Sequence, residues 1–114
     1  METKTATTIF ESLSSGWRLE AFRLLVKKGP EGMVAGDIAA ALDLAPSSLS
    51  FHLKALAHAG MVTVEQEGRF LRYRANLTMM VELISYLTEE CCAGVPGQCA
   101  EVAGARACVD KLAC

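Results

Sequence analysis

The residues of this chain best equipped for chemistry are five cysteines, Cys91, Cys92, Cys99, Cys108 and Cys114, all in the last quarter of its 114 residues. Thiolates are soft ligands and select soft ions over magnesium or calcium. A disulfide framework normally staples the whole of a small secreted domain, yet the chain before Cys91 contains no cysteine. The cluster therefore reads as a soft-metal ligand set or a redox sensor in a reducing compartment. A second group carries different chemistry. Ser47, Ser48, Ser50, His52 and Lys54 share one short stretch, and Arg69, Arg72 and Arg74 follow. Hydroxyls, an imidazole and cations are the donors that meet phosphate oxygens and base edges. The sequence offers no carboxylate pair, no histidine-backed nucleophile and no phosphate loop, so an enzyme is not expected.

The elements that must position these groups fit one small domain, with 52% hydrophobic residues to build its core. The formal net charge is −2, and its distribution says more than its sum. Residues 45–75 hold four basic side chains against two acids, whereas 76–114 hold two against five. A basic middle and an acidic end suit a phosphate-facing surface with a separate regulatory tail. No apolar run reaches the ~20 residues that span a bilayer, and the first residues lack the apolar stretch of a secretory signal. The expectation is a cytoplasmic protein with no membrane partner.

Along the chain, Ile9, Phe10 and Leu13 share one face of a first helix over 5–13. Ser15 is placed to cap a second, which carries Trp17, Leu19, Phe22, Leu25 and Val26 at helical spacing and stops at Gly29-Pro30. Trp17 is expected in the core. A short third helix over 34–42 buries Ile38 and Leu42. After the turn Asp43-Leu44-Ala45, Pro46 opens a fourth helix over 46–59. Ala45 is a poor cap, which leaves Ser47 or Ser48 to cover the free N–H groups. Leu49, Leu53 and Leu56 form this helix's apolar face, Ser47, Ser48, Phe51, His52 and Lys54 its polar one, and Gly60 fits the left-handed position at its end. A short helix, a tight turn and a longer helix with a polar outer face describe a helix-turn-helix. Strands over 61–65 and 69–74, joined by Gln66-Glu67-Gly68, make a basic hairpin, and 77–92 forms a last amphipathic helix with Met80, Leu83, Ile84 and Leu87 on its apolar face. The fold class is mainly α with a small β component (α+β), a winged helix-turn-helix with a two-stranded β-hairpin wing. The predicted organisation is a DNA-binding and dimerisation domain over 1–92 and a flexible cysteine-containing tail over 93–114.

This order resembles the ArsR/SmtB family of metalloregulatory repressors. The likeness is carried by residues 13–25, by Ser47-Ser48-Leu49-Ser50-Phe51-His52-Leu53-Lys54-Ala55-Leu56, by Ala59-Gly60-Met61-Val62 and by Glu67-Gly68-Arg69-Phe70-Leu71-Arg72-Tyr73-Arg74. The resemblance implies a homodimer held by its first and last helices, a palindromic double-stranded operator, and release by a metal or metalloid. Two familiar sites of the family are missing: residues 31–37 hold no Cys-x-Cys and the last helix holds no histidine. What remains resembles a branch that binds arsenic through adjacent cysteines at the end of the last helix and a third a few residues on. That implies trivalent arsenic (arsenite) or antimony as inducer, with Cys91, Cys92 and Cys99 as ligands. Gly94, Pro96 and Gly97 allow the chain to turn so that Cys99 joins the pair, and Glu89 and Glu90 disfavour the thiolate until a ligand displaces its proton. Cys108 and Cys114 are left as a second site or accessory thiols. With the fourth helix in the major groove, Ser47, Ser48, Ser50, His52 and Lys54 and the wing arginines Arg69, Arg72 and Arg74 are expected to contact DNA, while Phe51, standing where the family often has arginine, is able only to pack, for example on a thymine methyl. A thiol redox or sulfide sensor on the same fold, and a winged-helix module that binds protein instead of DNA, remain alternatives.

Overall fold

The structure, a computed structural model, describes residues 1–89. These divide into two units, Glu2–Leu77 and a second made of Met1 and the chain from Thr78 onward.

In the first unit, helices α1 (Thr3–Leu13) and α2 (Gly16–Lys28) lead through a single 3₁₀ turn, Gly29–Glu31, to a two-residue strand β1 (Met33–Val34). Helices α3 (Ala35–Leu42) and α4 (Pro46–His58) follow, then strands β2 (Val62–Glu67) and β3 (Phe70–Ala75). Ile9, Leu25, Ile38, Leu49, Leu53, Leu56 and Met61 are all but sealed from solvent. Each of the four helices sends at least one side chain into this core, at about 1.5–3 kcal/mol per large aliphatic group buried. On α1 the inward face is Ala6, Ile9 and Ser12, and Phe10 points out at 47% exposure. Ser12 tolerates burial because its hydroxyl donates to the Ile9 carbonyl at 2.7 Å.

Trp17 lies outside the expected core, at 47% exposure. The inward residues of α2 are Ala21, Phe22 and Leu25, and Trp17 sits a turn before them, on the flank of that stripe. Ser15 occupies the N-cap with extended backbone, but its side chain makes no capping bond.

The helix-turn-helix forms as the sequence indicates, with two left-handed residues shaping its ends. Asp43 (φ 53°, ψ 47°) closes α3, and the Leu44 N–H returns to the Ala39 carbonyl at 3.0 Å. Gly60 (φ 80°) closes α4, where Gly60 N–H reaches the Ala57 carbonyl and Met61 N–H the Leu56 carbonyl, both at 3.0 Å. This paired pattern satisfies carbonyls that the helix end would orphan. Pro46 opens α4, and the cap residue Ala45 contributes no side-chain bond.

The sheet differs from the expected hairpin in two ways. It has three antiparallel strands in the order β1-β3-β2, because Met33 and Val34 pair with Tyr73 and Arg72. Its hairpin turns on two residues, Gly68 and Arg69, between the paired Glu67 and Phe70, so β2 runs two residues further than the sequence pattern indicated and β3 starts one residue later. Gly68 (φ 62°) is the one residue of that turn with positive φ, as the first position of a type II′ turn requires. Gly32 is needed for a different reason. A Cβ there would stand 2.4 Å from the Tyr73 carbonyl oxygen, so only glycine lets this backbone lie against β3.

Helix α5 runs Leu77–Leu87, all but its first residue in the second unit, and passes into a turn at Thr88 and Glu89. The Thr88 hydroxyl and N–H both return to the Ile84 carbonyl, at 2.9 and 3.1 Å. The expected helix over 77–92 is thus shorter where it is described. Leu83 is buried, Met80 and Ile84 are half-buried, and Leu87 is 57% exposed.

Candidate nucleic-acid interface

The outer face of α4 is set by its inner one. Leu49, Leu53 and Leu56 are 1%, 1% and 0% exposed, which fixes the helix's rotation on the core. At about 100° per residue, Ser47, Phe51, Lys54 and His58 then form one stripe on the far side. All four are exposed, as are Ser48 and Ser50. Among the described residues, no side-chain hydrogen bond or ion pair engages Ser47, Ser48, Ser50 or Lys54. The serines expected to cover the helix start are therefore uncommitted, and the turns that would enter a groove present free donors.

His52 is half-buried beside this stripe. Its ring meets that of Phe51 edge-on, with centroids 5.8 Å apart and planes at 73°. Its Nδ1 is buried without a hydrogen-bond partner, so the Nε2 edge is the one left for an outside acceptor.

The wing is tied to α4 at its base. Asn76 donates its backbone N–H to the Met61 carbonyl at 2.8 Å and its side-chain amide to the Gly60 carbonyl at 2.9 Å. Val62 and Tyr73 are buried on the inner face of the hairpin. Burial pushes the Tyr73 phenol above its ordinary value, so it stays neutral.

On the outer face the arginines are already engaged. Arg72 Nε donates to both Glu67 oxygens at 2.9 and 3.0 Å, and its Nη1 to the Glu31 carbonyl at 3.1 Å. Arg74 Nε donates to the Pro30 carbonyl at 3.0 Å and its Nη1 to Glu65 at 2.8 Å. Both pairs run diagonally across the hairpin, since Glu65 stands opposite Arg72 and Glu67 opposite Phe70. Arg69, in the turn, has no ion pair among the described residues. The structure thus brings the three serines, His52 and Lys54 onto one accessible surface and sets Arg69 at the wing tip. It turns Arg72 and Arg74 partly back onto the protein. The residues missed by sequence reasoning are Glu65, Glu67 and Asn76. The glutamates alternate along β2 on the same face as the arginines of β3, but only the pairing register shows which meets which.

Cys91, Cys92, Cys99, Cys108 and Cys114 lie outside the described residues, as does the expected domain boundary at residue 92. Among the described residues, no group of three histidine, cysteine or acidic side chains is placed to hold a metal ion, and no helix is long and apolar enough to cross a membrane.

The same arrangement recurs in known proteins. Residues 13–65, from the end of α1 into β2, match the helix-turn-helix domain family. The transcriptional repressor SdpR of Bacillus subtilis is 32% identical over 79 residues, covering 69% of this chain and 84% of the relative. An ArsR-like transcriptional regulator from Rhodococcus superposes with a TM-score of 0.66 at 25% identity, over 96% of this chain and 93% of that one. The chain belongs to the ArsR-type winged helix-turn-helix regulators of transcription. A homodimeric winged helix-turn-helix DNA-binding domain from Mycobacterium bovis shares the fold at a TM-score of 0.61 and 23% identity, over 76% of this chain and 81% of that one. In this ArsR-type chain, α4 is the recognition helix and β2–β3 the wing. Its relatives are regulators, not enzymes.

Proposed function

We propose that this regulator is a homodimeric, cytoplasmic repressor that holds a double-stranded operator and leaves it when trivalent arsenic or antimony is bound by Cys91, Cys92 and Cys99. The observation that carries the DNA-binding half is the outer face of α4, where exposed, unengaged donors stand opposite a sealed leucine stripe. Such a surface meets phosphates and base edges in the major groove. The name of the relative SdpR supports repression. Dimerisation is supported by the homodimeric Mycobacterium neighbour and by apolar surface left on the two helices expected to pair, Phe10 of α1 and Leu87 of α5.

The inducer is the one the family resemblance implies, and the donor chemistry agrees with it. Trivalent arsenic prefers three thiolate sulfurs, and soft donors exclude the abundant hard cations. Each thiol that binds must lose its proton. Binding lowers DNA affinity only as far as the ion prefers the DNA-free form.

Fluorescence anisotropy of the full chain on duplex from its own promoter tests this reading, with arsenite, zinc, cadmium and peroxide titrated in turn. Release by arsenite, lost in Cys99→Ser with operator binding retained, is the expected result. Release by peroxide alone would keep the repressor and replace the inducer with an oxidant. Binding that does not weaken with salt would remove the DNA role itself, because phosphate contacts release counterions.

A further inference from the structure

Phe51 is the anomaly of the recognition helix. Among the described residues it is the most exposed of the large apolar side chains, at 69%. It lies two residues from each of the buried Leu49 and Leu53, about 160° around the helix from either, and so points almost straight away from the core. Its intramolecular ring contact is the edge of His52. The side chains one turn to either side of it are Ser47, Ser48 and Lys54, all exposed and polar, and the half-buried Ala55; Ser50, next to it in sequence, is also exposed. A single exposed ring flanked by three polar side chains makes a poor surface for a protein partner, which would have to bury those donors along with it. It matches a target that is itself a small apolar group set among acceptors.

The major groove offers one such group. Of all the base edges, only thymine presents a methyl, beside its O4 acceptor and the flanking phosphates. Phenylalanine has no donor or acceptor, so any base preference it confers must come from that methyl. We propose that Phe51 is a specificity-determining residue of this regulator, packing its ring on the 5-methyl group of one thymine in each half of the operator. The proposal rests on the DNA-binding reading above. It assigns base choice to the position where the family often carries an arginine, whose preferred partner is guanine.

The test is a deoxyuridine scan with the full-length protein. Each thymine of a duplex selected by the wild type from a randomised pool is replaced in turn by deoxyuridine, which removes the methyl and keeps the pairing edge. The wild type is expected to lose about tenfold in affinity at one position per half-site, the scale of one well-packed methyl group. Phe51→Ala is expected to bind the thymine duplex about tenfold more weakly and to become indifferent to the methyl at that position alone, the pattern of a coupled pair. Phe51→Arg is expected to select guanine there. The proposal is overturned if Phe51→Ala keeps the wild-type response to deoxyuridine throughout. It is equally overturned if no thymine matters to the wild type, or if Phe51→Ala changes the sedimenting assembly in place of base preference. If no duplex is selected with salt-dependent affinity, the DNA-binding reading falls first and this one with it. Should Phe51→Ala fold poorly, Phe51→Ser carries the same expectation, and a wild type indifferent to every thymine overturns the proposal with no variant needed.

Discussion

The recognition helix and the wing hold their polar groups differently. On α4 the serines and Lys54 are exposed and unengaged. On the wing, Arg72 and Arg74 are bound to Glu67 and Glu65 and to the carbonyls of Glu31 and Pro30. Residues 45–75 look basic by count, yet two of their four cations are neutralised by the two acids in the same segment. Among the described residues, the cations of that segment that can reach a phosphate without breaking an ion pair are Lys54 and Arg69. Counting basic residues therefore overstates the wing, where only one of three arginines has no ion pair among the described residues. The wing arginines serve first to fasten β3 to the 3₁₀ turn, and they meet DNA only by exchanging one anion for another.

The largest expected effect sharpens this contrast at the wing's root. Gly32→Ala forces a Cβ against the Tyr73 carbonyl at a left-handed backbone position. Chemical denaturation should show a loss on the order of 3 kcal/mol, from positive-φ strain and overpacking together. A loss of only a few tenths would mean that β1 is not held against β3 as described.

Next in size is a gain. Glu65→Gln combined with Glu67→Gln frees both arginines. Operator affinity at low salt should rise on the order of tenfold, and the dependence on log salt should steepen by up to about two counterions. An unchanged slope would place the outer face of the wing away from the phosphates. The stability cost should stay small, because half-exposed ion pairs contribute about 0–1 kcal/mol each.

The smallest effect separates the tip from the stem. Arg69→Ala should lower the salt slope by about one, as expected for a free cation on a phosphate. Arg72→Ala should lower it by less, since its charge is already met by Glu67. The reverse order, read from the same anisotropy titrations, would show that the wing ion pairs open fully on DNA.

Much of this molecule was legible in its sequence. The leucine stripe of α4, Pro46 at its start and Gly60 at its end define the recognition helix, because helical periodicity and backbone permissiveness are local properties. From those residues alone follow the helix-turn-helix and the face that carries Ser47, Ser48, Ser50, His52 and Lys54. The hairpin too was visible, through its alternation and Gly68, though its turn was read one residue too long and its third strand, only Met33 and Val34, carried no pattern to detect.

Tertiary structure decided the rest. It left Trp17 and Phe10 on the surface, because amphipathic spacing names a face without saying how far the neighbouring helices cover it. It also set what the wing arginines do. Arg72 reaches the Glu31 carbonyl across 41 residues and Arg74 the Pro30 carbonyl across 44. A residue's type and local spacing fix which bonds it is able to make, and only the meeting of distant backbone, here permitted by the missing side chain of Gly32, fixes which it does make.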